Sequence, residues 1–532
     1  MSLASLLPPY DAFRLLNGRT LLQGIIAFWI VKTVVTIVYR LLFHPLAHVP
    51  GPKLAAISDL PFIAYFFRGD SHTVVLRWHE KYGEVVRIGP DELSFNNEQA
   101  WKEIYGTNKT RIFVKDRYHP ARPVNNRVGK GIVPATGKDH TRQRRLLSHA
   151  FSDSALRQQE ALIKQSVDLF MHRIDESWES TGAFDAAKWF NLLTFDVIGD
   201  LAFGEPFGCL RDAAAHRYTV LVGKALGTLP RLNLLRRLWI WRLWFPRHTP
   251  RYLIRQIVEM QDMARDKLDR RLQRTMARED LIGHILTHQT EELTMDEGEL
   301  RGNASTFISA GSETTASALT GIAYYLALDP LRQQRLRDEI NVTFPPGSEV
   351  GLEGAAKMEY LNTVIQEGLR LFPPVAGGLH REALEDTFVC GIPIAKGVSC
   401  TRVLTTLKFR SGPVADLQTI VSSNTYAAAN DERNFTDAKR FVPERWLADV
   451  DPRYAADNRG ASQPFSTGAK GCIGKNLAYA EMRLTVCRLV RRYYLDFESP
   501  AEIAAHWDPA RQRAFLLWQK RSLTVRLHRV PS

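Results

Sequence analysis

The sequence predicts a mainly α-helical protein with a small β component, built as one large domain behind a single membrane-anchoring helix. Three observations carry that prediction. Helical periods dominate from Lys138 to about Arg278, and a further helix is expected from about Glu299 to Leu328. The segment EVVRIGPDELSF, from Glu84 to Phe95, reads as strand, turn and strand. Leu21 to Phe43 is largely apolar, and a bilayer span needs about 20 such residues.

Residues 1–20 form a short leading segment and residues 21–43 the anchor. Lys32 is the anchor's flaw, because a charge at mid-bilayer costs roughly 3 kcal/mol on insertion scales. No small-residue cleavage site follows, which favours a retained anchor over a signal peptide. Arg14 and Arg19 precede the span while Arg40, Lys53 and Arg68 follow it, so charge sets its orientation only weakly. Residues 44–54, with Pro45, Pro50, Gly51 and Pro52, read as a stiff hinge. Residues 55–532 follow as one domain without repeats or low-complexity spacers. Within it, Arg231 to Arg251 is rich in Arg, Trp and Pro and fits either a surface loop or a second membrane-touching patch.

Composition narrows the function. With 45% hydrophobic residues, the 532-residue chain has ample material for a large core. Cys209, Cys390, Cys400, Cys472 and Cys487 are few, odd in number and unpatterned, which argues against a disulfide framework and for a reducing compartment. The net charge of +13 comes with no compact basic block, no zinc spacing and no RNA-binding aromatic signature, so nucleic acid is not the expected partner. An anionic membrane surface or an acidic docking protein accounts for the charge better.

The chemistry concentrates in Phe465-Ser466-Thr467-Gly468-Ala469-Lys470-Gly471-Cys472-Ile473-Gly474. Lys475 to Tyr494 carries a helical apolar pattern, which sets Cys472 at a helix N-terminus. Free N–H groups and the positive dipole end lower a thiol's pKa there, and thiolate is the form that binds iron. Gly468 and Gly474 lack Cβ, so the backbone can turn sharply and approach a flat macrocycle. Alone, Cys472 fits a small buried residue in a glycine-rich turn as well. The spacing Phe-x-x-Gly-x-x-x-Cys-x-Gly, however, resembles the haem-binding signature of the cytochrome P450 family, the haem-thiolate monooxygenases. The resemblance runs from about Pro45 to the C-terminus. It implies the cytochrome P450 fold, haem b, O2 as co-substrate, and Cys472 as axial ligand to the haem iron within a loop shaped by Phe465, Gly468 and Gly474. Where the family usually has Arg this chain has Lys470, which keeps a charge for a haem propionate but loses the bidentate fork.

Ala310-Gly311-Ser312-Glu313-Thr314-Thr315 lies in the middle of its predicted helix. Gly there costs about 1 kcal/mol relative to Ala, so a packing reason is expected. Ala310 and Gly311 would let a planar cofactor and a diatomic ligand press against the helix; a small-residue helix crossing is the alternative. Thr314 can hydrogen-bond a backbone carbonyl or a water, and Glu313 adds a proton carrier. The two are similar to the family's acid–threonine pair. Glu367 and Arg370, three apart on one helical face, resemble its Glu-x-x-Arg pair, with Arg445 of Pro443-Glu444-Arg445-Trp446 as the third member. His140 and Arg144 resemble its first propionate-binding pair, and Arg381 its later propionate-binding arginine.

No Gly-x-Gly-x-x-Gly dinucleotide segment occurs, and the resemblance implies NADPH electrons delivered by a separate NADPH–cytochrome P450 reductase. The string FHPLAHVPGPKLAAISDLP looks like the anchor-to-domain linker of fungal microsomal members. That implies a single pass through the endoplasmic reticulum membrane, a cytosolic catalytic domain, and sequons at Asn108, Asn303, Asn341 and Asn434 that stay unglycosylated. Resemblance is greatest to fungal secondary-metabolism enzymes of the group that includes trichothecene-type hydroxylases. It implies a lipophilic substrate, terpenoid or polyketide, whose pocket walls are expected near Tyr105–Val133, Val375–Gly378, Ala310 and Arg513–Leu517.

One segment breaks the pattern. Val398 to Gln418 interrupts an expected strand, and deleting these 21 residues restores Gly-Thr-Ile-Val. A translated intron explains the run: Val-Ser can be encoded as a splice donor, Ala-Asp as a branch site and Gln as an acceptor, and whole codons preserve the frame. An inserted surface loop is the other reading. Two further functions therefore stand beside monooxygenation. One is a haem-thiolate isomerase or dehydratase, against which the intact Glu313–Thr314 pair argues. The other is an inactive haem-binding product, which the interrupting run keeps open.

Overall fold

The computed structural model describes residues 18–107, 112–116, 131–238, 251–274, 280–396 and 419–531. Its first helix, α1 (Gly18–Val38), continues through a wider π-helical turn, Tyr39–Phe43, and buries none of its side chains. Among the described residues it is the one helix long and apolar enough to cross a bilayer.

The hinge expected after α1 does not stand free. Leu46 and Val49 are buried against Leu93, Phe95 and Val421. The Arg87 N–H donates to the Pro50 carbonyl at 2.9 Å, and a Cβ on Gly51 would lie 2.4 Å from the Arg87 carbonyl oxygen. The buried Arg87 side chain donates to the Arg40 carbonyl at 2.9 Å, and His44 pairs with Asp91 at 3.0 Å. Prolines stiffen the segment, as the sequence suggests, but two buried apolar side chains and these hydrogen bonds make it part of the domain.

The principal helices after it are α2 (Leu60–Arg68), α3 (Ser71–Tyr82), α4 (Gly137–Ala150), α5 (Glu160–Thr181), α6 (Ala186–Phe203), α7 (Arg217–Leu235), α8 (Arg251–Gln273), α9 (Glu297–Leu328), α10 (Pro330–Thr343), α11 (Glu359–Leu371) and α12 (Lys475–Arg492). All of α6 except Lys188 and Asn191 is buried, so this helix is enclosed on every side. It crosses α9, and the pair forms the centre of the main core. A capping box starts α9: the Asp296 side chain accepts from Glu299 N at 2.7 Å, and the Glu299 carboxylate accepts from Asp296 N at 3.1 Å. Glu299 also accepts from Arg142 at 2.9 Å and from Gln143 at 3.0 Å, which fixes α4 against α9. Asn303 accepts from Ile132 N at 2.8 Å and donates to Gln143 at 3.0 Å, so this sequon is sealed in the core. Asn434 is buried too, Asn341 is exposed, and Asn108 lies outside the described residues.

The expected hairpin is β1 (Val85–Gly89) and β2 (Glu92–Phe95), antiparallel. With β3 (Phe113–Lys115), β5 (Arg381–Ala383) and β8 (Ile420–Ser423) it forms a five-stranded sheet, order β1-β2-β8-β5-β3, in which only the β2–β8 pair is parallel. A second sheet joins β4 (Ala183–Asp185), β12 (Thr524–Arg529) and β9 (Tyr493–Asp496). Two short hairpins pair β6 (Thr387–Val389) with β7 (Ile392–Ile394), and β10 (Arg513–Ala514) with β11 (Trp518–Gln519).

Residues 398–418 lie outside the described residues, but the chain on either side of them comes together: the Thr419 hydroxyl donates to the Ala395 carbonyl at 3.0 Å. Residues 239–250 of the Arg/Trp/Pro-rich stretch also lie outside them. The described part before them is the packed end of α7, where the Arg231 guanidinium sits 3.5 Å from the Phe515 ring and the buried Arg237 pairs with Glu92 and, at 3.4 Å, with Asp59.

Candidate active site

Cys472 sits on a loop closed by its own backbone. Gly471 N donates to Gly468 O at 3.0 Å, and Cys472 N donates to Phe465 O at 2.8 Å. Gly468 has φ +70°, and a Cβ there would fall 2.1 Å from the Tyr105 carbonyl oxygen, so glycine is required twice over. Ser466 holds φ +56° without being glycine, which is stored local strain. Phe465 packs on Tyr479 of α12 with ring centroids 5.4 Å apart. Cys472 lies deep in the protein yet keeps an accessible surface, the combination expected of a residue on the wall of an internal cavity. Burial raises its thiol pKa, and the Gly474 N–H, Arg144 and Lys475 only partly oppose that. This corrects the expectation of a lowered value: desolvation outweighs the helix N-terminus. Metal coordination itself would drive the proton off.

Five basic side chains gather beside this loop. The Arg144 guanidinium donates to Gly471 O at 2.5 Å, tying α4 to the cysteine loop. Lys115 and Arg381 are register partners on β3 and β5. Burial lowers the His140 pKa to about 4, reinforced by Lys115, Lys470 and Arg144. Burial, then Arg381 and Lys470, lower Lys115 to about 7. Lys470 is lowered by burial and then by Arg381, and Arg381 and Arg144 by burial. None of the five has an ion-pair partner among the described residues. Mutually repelling basic groups, buried or half-buried and without a counter-ion among the described residues, fit a ligand that brings two carboxylates, as haem does. Lys115 carried no signal in the sequence; only the β3–β5 pairing brings it here.

The central helix α9 packs against α12, the helix that follows the cysteine loop. Ala310 is exposed, and the Thr314 hydroxyl donates to the Ala310 carbonyl at 2.6 Å on the accessible side of the helix. Gly311 serves the helix crossing instead, because a Cβ there would lie 2.9 Å from the Ile198 side chain of α6. Glu313 is buried and engaged elsewhere, with Asn191 at 2.9 Å and Lys520 at 2.9 Å. Its pKa is lowered overall: burial pulls upward, and the Lys520 charge with the hydrogen bonds from Lys520 and Asn191 outweighs it.

Glu367, Arg370 and Arg445 meet with no solvent exposure. Arg370 grips both oxygens of Glu367 at 2.8 Å, and Arg445 reaches Glu367 at 3.1 Å. Two members were not read from the sequence: Asp457, which pairs with Arg445, and Trp446, whose indole N–H donates to Glu367 at 2.8 Å.

The family model described as Cytochrome P450 matches residues 50–410 and 415–515. The chain belongs to the cytochrome P450 family. Among its relatives, averantin hydroxylase of Dothistroma septosporum is 35% identical over 97% of this chain and 93% of its own length. Trichothecene C-15 hydroxylase of Fusarium sporotrichioides is 36% identical over 93% and 95%. Cytochrome P450 monooxygenase astJ of Aspergillus oryzae is 37% identical over 92% and 93%. The protein is thus a cytochrome P450 monooxygenase, an oxidoreductase whose family uses haem and O2. Bound haem supplies O2 binding and one-electron chemistry at its iron, and the cysteine loop with its cations suits it.

Proposed function

We propose that this cytochrome P450 inserts one oxygen atom from O2 into a lipophilic secondary metabolite, a terpenoid or polyketide, with electrons from NADPH through a separate NADPH–cytochrome P450 reductase. The observation that carries the reading is the accessible thiol of Cys472 beside five basic side chains, none with an ion-pair partner among the described residues. Cys472 ligates the iron, with Phe465, Gly468 and Gly474 shaping its loop. His140, Arg144, Arg381, Lys470 and Lys115 hold the two carboxylates. Ala310 gives the cofactor a flat approach, and Gly311 contributes by letting α6 close on α9. Thr314 and Glu313 handle protons, while Glu367, Arg370 and Arg445 hold the frame. Relatives named for hydroxylating averantin and a trichothecene support hydroxylation. In this reading α1 is the single pass through the endoplasmic reticulum membrane, and the catalytic domain is cytosolic.

Reconstitution with reductase in lipid nanodiscs, with terpenoid and polyketide panels under labelled O2, tests it. One labelled oxygen atom in a product, dependent on NADPH, is expected. Product formed without NADPH and without label would mean isomerisation or dehydration instead.

A non-functional product is the second reading, and two observations favour keeping it. The family match breaks between residues 410 and 415, and the chain on either side of 398–418 closes through Thr419 and Ala395. Tryptic peptides of natural protein decide it: GTIVSSNTYAAANDER means the run is spliced out, and SGPVADLQTIVSSNTYAAANDER alone means it is translated.

A further inference from the structure

A second cleft lies away from the cysteine loop. It encloses about 800 Å³ between α3, the C-terminal end of α9, the start of α10, the short helix Thr425–Asn430 and the turn 508–510. Tyr324 stands ten residues beyond Thr314 on α9, about 15 Å along the helix. Tyr324, Tyr325 and Tyr426 line the cleft and are 4%, 9% and 5% exposed. Buried hydroxyls are normally paired, yet these three have no hydrogen-bond partner among the described residues. None of the three oxygens is sealed from water, so they open onto the cleft. Aromatic rings form much of the floor: Tyr325 stacks on Phe441 with centroids 5.1 Å apart, and Tyr324 meets Tyr325 edge-on at 5.0 Å. Asn430, also buried, donates to the Tyr426 carbonyl at 3.0 Å and leaves its own side-chain oxygen without a partner.

Anions govern the charge at this floor. Burial raises the pKa of all three phenols and keeps them neutral. Asp508 adds next at Tyr324 and Tyr426; at Tyr325 the other two phenols and then Asp508 add to it. Arg370, whose charge reaches Tyr325 and Tyr426, is already held by Glu367. Asp508 has no ion-pair partner among the described residues: Oδ1 accepts from Ala510 N at 2.7 Å, and Oδ2 accepts nothing. Asp70 Oδ1 is buried without a partner, while its other oxygen pairs with Arg68 at 3.0 Å. The basic side chains of the cleft stand at its rim. Arg332 is held by Asp329 and Glu444, Lys439 and Arg440 pair with Glu80 and Asp437 at 3.7 Å, and Arg77 is exposed on α3.

We propose that this cleft is an accessory binding site for a small organic cation: an ammonium compound whose charge lies by Asp508 and the Tyr324, Tyr325 and Phe441 rings, and whose polar arm meets the unpartnered phenol and Asn430 oxygens. Aromatic rings and a carboxylate together favour an ammonium group over a neutral group of the same shape. An anion would meet Asp508 and Asp70 without a free cation on the floor. A neutral polyol would satisfy the hydroxyls but leave Asp508 without a counter-charge. The volume is within the range of small-molecule sites.

Titration calorimetry on the full-length holoprotein in polyoxyethylene-ether micelles tests it with two probes. One is choline; the other is 3,3-dimethylbutanol, which has the same shape with carbon in place of the quaternary nitrogen. Choline is expected to bind at one site with a Kd of roughly 1 mM or tighter, and 3,3-dimethylbutanol about tenfold more weakly. Asp508→Asn retains an acceptor for Ala510 N; it should weaken choline about tenfold and leave 3,3-dimethylbutanol unchanged. Asp508→Ser asks the same question should Asn disturb folding. The haem Soret band should stay in place as choline saturates, because the cleft lies off the cysteine loop and a quaternary nitrogen has no lone pair for iron. Equal affinity for the two probes means a site for neutral ligands and overturns the proposal. So do an absence of choline binding in the millimolar range, a choline affinity indifferent to both Asp508 variants, or a Soret shift that tracks choline binding.

Discussion

Replacing Glu367 with Gln removes a negative charge from a cluster that excludes water. Glu367 accepts from Arg370 twice at 2.8 Å, from Arg445 at 3.1 Å, from Trp446 at 2.8 Å and from Val442 N at 2.9 Å. Asp457 remains as an anion for Arg445. Arg370 keeps only the carbonyls of Ala429, Ala438 and Arg440. The variant therefore leaves a buried guanidinium without a counter-ion, and the Gln amide offers one acceptor oxygen where the carboxylate offered two. Removing one partner of a buried pair costs about 3–5 kcal/mol, a large share of the roughly 5–15 kcal/mol that holds a typical domain folded. Unfolding entropy near 2.1 cal/mol/K per residue over roughly 480 residues gives about 1 kcal/mol/K, so Tm is expected to fall by about 3–5 °C. Circular dichroism melts, run alongside haem release, measure it. Asp457→Asn should cost less, because Arg445 keeps Glu367. A Glu367→Gln protein melting within about 1 °C of wild type, with haem retained, would refute the reasoning.

Three further outcomes follow from the same geometry. Lys115→Met should stabilise haem-free protein, by removing an amine that burial, Arg381 and Lys470 destabilise, and should speed haem loss from the loaded form; denaturant midpoints and haem transfer to apomyoglobin read the two opposite signs. His72 and His79 are buried, and burial lowers both pKa values to about 4. The unfolded chain, with histidine pKa near 6.5, binds more protons between those values, so stability should fall as pH drops from about 6.5 to about 4, by up to roughly 3 kcal/mol per histidine; His79→Asn should flatten the slope of denaturant midpoints by one proton. Gly468→Ala should distort the cysteine loop, since its Cβ would meet the Tyr105 carbonyl at 2.1 Å, and haem content on purification should collapse.

What was legible in the sequence was local. The cysteine loop, the Glu-x-x-Arg pair and the apolar span each depend on spacing within one segment, and each stands where spacing put it. What depends on distant segments meeting was not legible. Lys115 joins the cations only through β3–β5 pairing, and Lys520 reaches Glu313 from the far end of the chain. The thiol pKa went the other way because burial, which spacing does not report, outweighs the helix end. The hinge failed as an expectation for a similar reason: proline content reports stiffness, whereas Leu46, Val49 and Arg87 decide that the segment packs.

All the oxygen chemistry proposed for this chain passes through Cys472 as the iron ligand. The carbon monoxide difference spectrum of the reduced, purified full-length protein, beside that of Cys472→Ser, tests it most directly. The account predicts the thiolate-type band in the wild type and its loss in Cys472→Ser. A wild-type protein without a haem signal, or a Cys472→Ser protein that keeps the band, would contradict it.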